Sequence, residues 1–167
     1  MSDFSEAIFP QRIRDLVVHC KRDDYDVLVD RRTKWGNPKR LEGYDGDRVA
    51  CLQGYLTWLQ LRPTSKYDPQ HDDQYDKLEV LESIGELEGK VLACWCAPRL
   101  CHAHVLAAMA AADDPEEAIR WIRRRIQEVT EARQRPERNP KKKRDTHPDP
   151  HSQMESEEYR YSRPKDY

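Results

Sequence analysis

Residues 91–111 read VLACWCAPRLCHAHVLAAMAA, and this stretch decides the fold. The run Val91–Cys96 is short and apolar, which is typical of a buried central strand. Pro98 ends that strand, and the alanine-rich segment Cys101–Ala112 has high helix propensity. A buried strand, a sharp loop and a helix in this order predict an α/β domain. We expect a short, mainly parallel sheet with flanking helices in two or three layers.

Two further strands are predicted upstream, at the short β-branched runs Val17–Cys20 and Asp26–Val29. The charged residues between them indicate a tight connection. The segment that follows, residues 31–45, contains Gly36 and Pro38 and is predicted to be a loop.

Three further helices are predicted, over residues 47–61, 75–84 and 114–135, from apolar residues that recur every three or four positions. The last of them has Asp114 as a candidate cap and Pro115 at its first position.

The chain is predicted to contain one α/β domain, residues 1–135, and a charged, disordered tail, residues 136–167, which has almost no apolar residues. No apolar run approaches the roughly 18 residues of a membrane span, and the amino terminus lacks the pattern of a signal peptide. We therefore expect a cytoplasmic protein with no membrane partner. Its five cysteines should be reduced there.

The formal net charge of −2 conceals a basic stretch at residues 120–144. This stretch contains eleven Lys or Arg residues and three Glu residues, so its formal charge is +8. Such a block can neutralise phosphates, which predicts a nucleotide or a nucleic acid as partner. The alternative is a solvated helix face that continues into the tail.

The cysteine segment is the predicted working site. A helix that begins near Cys101, directly after a buried strand, points its free N–H groups and the positive end of its dipole at the carboxyl end of that strand. This field favours the thiolate, so Cys101 is the candidate nucleophile. His104 is three residues further along and shares its helix face. His102 is rotated by about 100° and reaches the site only from the first turn.

Zinc is the rival interpretation, because Cys94, Cys96, Cys101, His102 and His104 offer more than four ligands. The usual C-x₂₋₄-C spacing is absent, however. Three alternatives follow: a reactive or ligand-binding thiol site, a structural metal site, or inert buried cysteines. Trp95 is predicted to belong to the core.

Three segments together carry a resemblance: YDVLVDRRTKWGNP (25–38), LEGKVLACWCAP (87–98) and CHAHVL (101–106). Over about residues 8–112 the chain resembles a small uncharacterised domain family that is widespread in tailed-phage and bacterial genomes. Its signatures are an Arg-x-(Ser/Thr)-Lys-Trp-Gly-Asn-Pro loop and a Cys-Trp-Cys-x-Pro-x-x-Cys-His motif. The resemblance implies a shared fold and pocket but no activity.

Two departures from the family pattern matter for the site. Lys39 stands where the family usually has an aromatic residue, and His104 stands where it usually has an aspartate. The second departure weakens His104 as an obligatory ligand and favours Cys101 and His102.

The loop residues Arg32, Lys34, Trp35 and Asn37 suit a nucleotide ligand, and we group Cys96 with them as ligand-binding. Arg and Lys hold phosphate, Trp stacks on a base and Asn reads a base edge. The alternative is that Trp35 plugs the core and that Asn37 makes a turn.

Two functional hypotheses result, and a purely structural accessory protein is the third alternative. The first is an enzyme or ligand-binding domain of nucleotide or nucleic-acid metabolism, with Cys101 as nucleophile and His102 as acid/base. The second is a non-catalytic, zinc-stapled module that binds nucleic acid or protein. The sequence specifies neither a cofactor nor an oligomeric state.

Overall fold

The computed structural model describes residues 4–60 and 75–135. Residues Met1–Gln134 form one compact unit. The tail predicted at residues 136–167 lies outside the described residues. Among the helices of the described ranges, none combines the length and the apolar character that a membrane crossing requires.

In the described part of the chain the sheet has three parallel strands: β1 (Val17–His19), β2 (Val27–Leu28) and β3 (Leu92–Cys94). Their order is β1-β3-β2, so the strand that is last in the sequence lies in the centre. All three residues of β3 are buried. The prediction of a short parallel sheet around a buried central strand is therefore confirmed.

The segment between β1 and β2 differs from the expected link between neighbouring strands. Both strands run parallel to β3, which separates them, so residues 20–26 must return the chain to the opposite end of the sheet. The turn begins where the carbonyl of His19 accepts the backbone N–H groups of Arg22 and Asp23, at 3.0 and 3.1 Å. It ends where the Asp26 N–H donates to the Val91 carbonyl at 2.9 Å.

Six α-helices flank the sheet within residues 4–60 and 75–135. They are α1 (Phe4–Ile8), α2 (Gln11–Arg14), α3 (Arg48–Gln60), α4 (Lys77–Ser83), α5 (His102–Ala110) and α6 (Pro115–Gln134). Two 3₁₀ turns, Leu41–Tyr44 and Ile84–Leu87, complete the described elements. The four helices predicted from periodicity and propensity are confirmed. Helices α1 and α2 and the turn inside the predicted loop were not expected, because segments of four or five residues carry too few periods to be recognised.

Helix α5 lies at the centre of the packing, and all nine of its residues are buried. It contacts β1, β3, α2 and α6. Helix α6 covers it with a buried stripe of Ala118, Ile119, Ile122 and Ile126. The predicted cap of α6 is also present, since the Asp114 carboxylate accepts the Glu116 N–H at 2.9 Å. This packing holds the amino terminus of α5 close in space to the end of β3, although residues 95–101 lie between them.

Candidate functional site

A cavity of about 630 Å³ opens where β2 and β3 end and α5 begins. Its walls include residues 30–32 after β2, residues 94–96 at the end of β3 and residues 100–102 at the start of α5. The remaining walls come from the loop before α3 and from the first turns of α3. Crevices at the carboxyl ends of parallel strands are where ligands bind in α/β folds.

At this edge of the cavity three buried side chains converge: Cys94, Cys101 and His102. Their two sulfur atoms and one ring nitrogen all lie within 4.8 Å of one another. Cys94 is the last residue of β3, Cys101 is the N-cap of α5 and His102 is its first residue. The structure therefore brings the predicted pair Cys101 and His102 together and adds Cys94 to them.

His102 is held by the strand beside it. Its Nε2 lies 2.7 Å from the carbonyl oxygen of Val29, which can only accept, so Nε2 carries the proton and Nδ1 the lone pair. Burial lowers the pKa of His102 to about 4, which keeps the ring neutral at pH 7. Donation of a proton by an imidazolium is therefore disfavoured, whereas the lone pair remains available for a proton or a metal ion.

The neighbouring thiols are held in their protonated form. A hydrogen bond with Cys101 and burial raise the pKa of Cys94 to about 12. A hydrogen bond with Cys94, together with burial, raises the pKa of Cys96 well above its ordinary value. Cys94 and Cys96 consequently add no negative charge to the cavity at neutral pH.

His104 faces away from the cavity. Its Nδ1 accepts the backbone N–H of Cys101 at 3.3 Å, as the third residue of a capping box does, and lies 3.6 Å from the Cys101 sulfur. Its ring stacks on Phe9 with centroids 5.4 Å apart. The contact with Cys101 that the three-residue spacing predicted is present, but it holds the helix start rather than a ligand.

The outer wall of the cavity is cationic. Four basic side chains line it, against the two carboxylates of Asp30 and Glu42: Arg31, Arg32, Lys39 and Arg48. Arg48 reaches inward, with its Nη1 3.4 Å from the Leu100 carbonyl, and hydrogen bonds to the Cys96 thiol. Because Asp30 is paired with Arg32, the cavity presents a net positive surface to a ligand.

Asp30 organises the mouth of the cavity. Its carboxylate accepts the backbone N–H of Arg32 at 3.0 Å, the Arg32 guanidinium at 2.6 and 2.9 Å, and the Trp95 Nε1–H at 3.1 Å. Burial acts to raise the pKa of Asp30, but the hydrogen bonds from Arg32 and Trp95 outweigh it, so the pKa lies below its ordinary value. A buried carboxylate therefore fixes one cation and one indole.

Trp95 lines the cavity and is 51% exposed, so its assignment to the core is wrong. It follows the last residue of β3, where the chain has left the sheet, and its indole N–H is paired with Asp30. Lys21 lies over the ring at 5.4 Å from its centroid, and His19 packs against it edge-on at 6.1 Å. An apolar run around a tryptophan gives no signal that the chain turns outward there.

Two of the predicted loop residues do not line the cavity. Trp35 is 4% exposed and belongs to the hydrophobic core. Lys34 lies over the Trp35 ring at 4.8 Å and pairs with Glu86 at 3.2 Å. The structure therefore separates Lys34 and Trp35 from Cys101, whereas Arg32, Asn37 and Cys96 do line the cavity with it.

Asn37 and Gly36 shape this loop. The side-chain oxygen of Asn37 accepts the Lys39 backbone N–H at 2.8 Å. This bond makes a turn, as expected if Asn37 has a structural role. A Cβ atom at Gly36 would meet the Tyr75 ring at 2.6 Å and the Arg31 Cα at 2.7 Å. The Tyr75 hydroxyl in turn donates to the Arg31 carbonyl at 2.8 Å. Glycine is thus required by a close approach that positions the basic residues.

The basic stretch is described only as far as residue 135, and there several arginines make contacts within the domain. Arg120 pairs with Asp114 at 3.5 Å, Arg123 donates to the Thr57 hydroxyl at 2.8 Å and Arg125 pairs with Glu128 at 2.9 Å. Residues 136–144 of the stretch lie outside the described part of the chain.

Comparison with known proteins gives one result. A family model described as a domain of unknown function (DUF4326) matches residues 18–112. Neither the curated proteins nor the solved structures contain a match to this chain.

Proposed function

The chain belongs to the DUF4326 family, and since every residue that lines the cavity falls within the matched segment 18–112, we propose that this cavity is the working site and that it binds a nucleotide. The observation that carries the proposal is the joint presence of four cationic side chains and an exposed, immobilised indole around one cavity.

The cavity has the size and the charge that a nucleotide requires. Small-molecule sites usually enclose about 300–1,000 Å³, and this cavity encloses about 630 Å³. Guanidinium groups bind phosphate oxygens through paired hydrogen bonds, and Arg31, Arg32 and Arg48 come from two different elements that face the same space. Because the thiols of Cys94 and Cys96 are protonated, they do not repel a phosphate as two thiolates would.

Trp95 supplies a surface for a base. Stacking of a nucleobase on an aromatic side chain contributes about 1–3 kcal/mol and tolerates any base. The hydrogen bond from the Trp95 indole to Asp30 fixes the ring before a ligand arrives, so little side-chain entropy is lost on binding. Trp95 thereby takes the role that the sequence assigned to Trp35.

Cys101 and His102 stand at the inner end of the cavity, where the part of the ligand that reaches deepest would meet them. Cys101 is the candidate nucleophile for a reaction at this end, with the His102 lone pair as the available base. The contacts of Arg120, Arg123 and Arg125 within the domain make the cavity, rather than the basic stretch 120–144, the preferred site for a phosphate.

Calorimetric titration of the full chain with nucleosides and their mono-, di- and triphosphates tests the proposal. We expect phosphorylated nucleotides to bind at least tenfold more tightly than the parent nucleosides. Arg48→Gln should weaken binding at least tenfold, whereas Arg124→Gln, which removes an exposed arginine outside the cavity, should leave it unchanged.

A second pair of variants tests the stacking surface. Trp95→Ala should lose about 1–3 kcal/mol of binding, whereas Trp121→Ala, a change at an exposed tryptophan on α6, should lose none. Equal affinity for nucleosides and nucleotides, or nucleotide binding that Arg48→Gln and Trp95→Ala both leave intact, would overturn the proposal.

A further inference from the structure

The side chains of Cys94, Cys101 and His102 bring three metal-ligand atoms together at one end of the cavity. All three are buried, and all three line the cavity. From this geometry we infer that they bind one Zn²⁺ ion, with the fourth coordination position directed into the cavity. The inference goes beyond the proposed nucleotide site and needs no nucleotide. It replaces the roles of Cys101 as nucleophile and of His102 as base, because a bound metal ion would occupy the Cys101 sulfur and the His102 lone pair.

The donor set is one that zinc prefers. Two thiolates and one imidazole, with a fourth position left open, are the protein ligands of one known type of catalytic zinc site. Soft sulfur ligands in a tetrahedral arrangement disfavour magnesium and calcium, which take oxygen. Two thiolates also neutralise the charge of the ion, so the buried centre would carry no net charge.

The distances require little movement. Zn–S bonds of about 2.3 Å and Zn–N bonds of about 2.0 Å place tetrahedral ligand atoms about 3.5–3.8 Å apart. The three ligand atoms here lie within 4.8 Å of one another, so an approach of about 1 Å at most would close the site. Cys94 is fixed by the central strand, while Cys101 and His102 belong to the first turn of α5, where rotation of a side chain suffices.

The surroundings of His102 are those of a metal ligand. The bond from its Nε2 to the Val29 carbonyl, at 2.7 Å, orients the ring and leaves the other nitrogen unprotonated. Metal-bound histidines usually donate their second N–H to a carbonyl or a carboxylate in this way. The N–H groups at the start of α5 add an electropositive field that stabilises the two thiolates once a metal ion has displaced their protons.

Cys96 is the candidate for a fourth ligand, which would close the coordination of the metal ion. It lies two residues after Cys94, is half-buried and interacts with Arg48. We assign it to the cavity wall rather than to the metal, because it does not belong to the set of atoms that converge within 4.8 Å. Cys96→Ser therefore separates an open three-ligand site from a closed one.

The first test measures metal content and coordination on the full chain. After exposure to micromolar Zn²⁺ and dialysis, elemental analysis should give about one zinc per chain. Replacement by Co²⁺ should give the sulfur-to-cobalt charge-transfer band and the strong visible absorption of a tetrahedral site. Absence of stoichiometric zinc, or a cobalt spectrum without thiolate bands, would overturn the inference.

Variants then identify the ligands. Cys94→Ser, Cys101→Ser and His102→Gln should each weaken zinc binding at least tenfold. Cys96→Ser should retain it, and so should the control Cys20→Ser, which alters a half-buried cysteine outside the cavity. A loss in Cys96→Ser equal to that in Cys94→Ser would refute the open fourth position.

A measurement on the unaltered chain covers the case in which a ligand variant fails to fold. Zinc should slow the alkylation of Cys101 by iodoacetamide at least tenfold and leave the rate at Cys20 unchanged. Equal protection of both cysteines would indicate general tightening of the fold and would count against the site. Zinc binding is measured without nucleotide, so its failure leaves the nucleotide proposal standing, and the reverse also holds.

Discussion

Replacing Asp30 by asparagine tests how the mouth of the cavity is built. The side chain of Asp30 is 7% exposed and accepts hydrogen bonds from the Arg32 backbone N–H at 3.0 Å and from the Trp95 indole at 3.1 Å. Hydrogen bonds to a charged group contribute about 1.5–3 kcal/mol each. Asparagine keeps the shape and one acceptor oxygen, but it turns an N–H group toward donors.

Because asparagine can keep one of these two bonds, we expect Asp30→Asn to lower the free energy of unfolding by about 1.5–3 kcal/mol at neutral pH. The ion pair with the Arg32 guanidinium adds nothing to this figure, because that group is largely in water. Urea denaturation followed by circular dichroism measures the loss. Asp24→Asn, at an exposed aspartate in the preceding turn, is the control and should stay within about 0.5 kcal/mol of the original chain.

The pKa of Asp30 also predicts how the stability difference between this variant and the original chain changes with pH. The pKa of Asp30 in the folded state lies below the ordinary value of 3.8, so the carboxylate stabilises the fold fully above that value. Its contribution disappears as the pH falls through the folded-state pKa. The difference between the two chains should therefore shrink below pH 3.8. An Asp30→Asn chain as stable as the original, or a difference that persists unchanged into acid, would refute this reasoning.

Three further changes have expected outcomes. Gly36→Ala should destabilise the fold by about 1–3 kcal/mol in urea, because its Cβ would lie 2.6 Å from the Tyr75 ring, whereas Gly43→Ala has nothing within 4 Å and should be neutral. Ile122→Ala, at a fully buried position of α6, should cost about 2–5 kcal/mol in the same assay, and a neutral result would contradict the packing of this side chain in the core. Without zinc, peptide mapping should find iodoacetamide on the half-buried Cys20 well before the buried Cys94, whose pKa is raised to about 12.

The sequence predicts the central elements of this fold because their signals are local. An apolar run ended by Pro98 indicates the strand, and a capping residue followed by Pro115 indicates the start of α6. Strand order is a different matter. It depends on which strands pair, so two short strands close in sequence gave no sign that β3 would lie between them.

The site was predictable where a residue's position follows from the order of strand, loop and helix. Cys101 and His102 at the start of α5 are of this kind. The sequence placed Trp95 in the core and Trp35 at the ligand, and the structure has the reverse. An indole is equally compatible with a core and with a cavity wall, so the residue type alone does not decide. Only the tertiary contacts decide between them: Trp35 packs among the core residues, and the Trp95 indole donates to Asp30.

The central position of β3 has a consequence for synthesis on the ribosome. β1 and β2 are made early, yet neither has a partner until residues 92–94 have left the exit tunnel, since every strand pair of the described sheet includes β3. After β2 has been synthesised, more than 60 further residues must therefore be added before either strand can pair. The thiols and imidazole that β3 and α5 deliver thus become neighbours only when the framework closes around them.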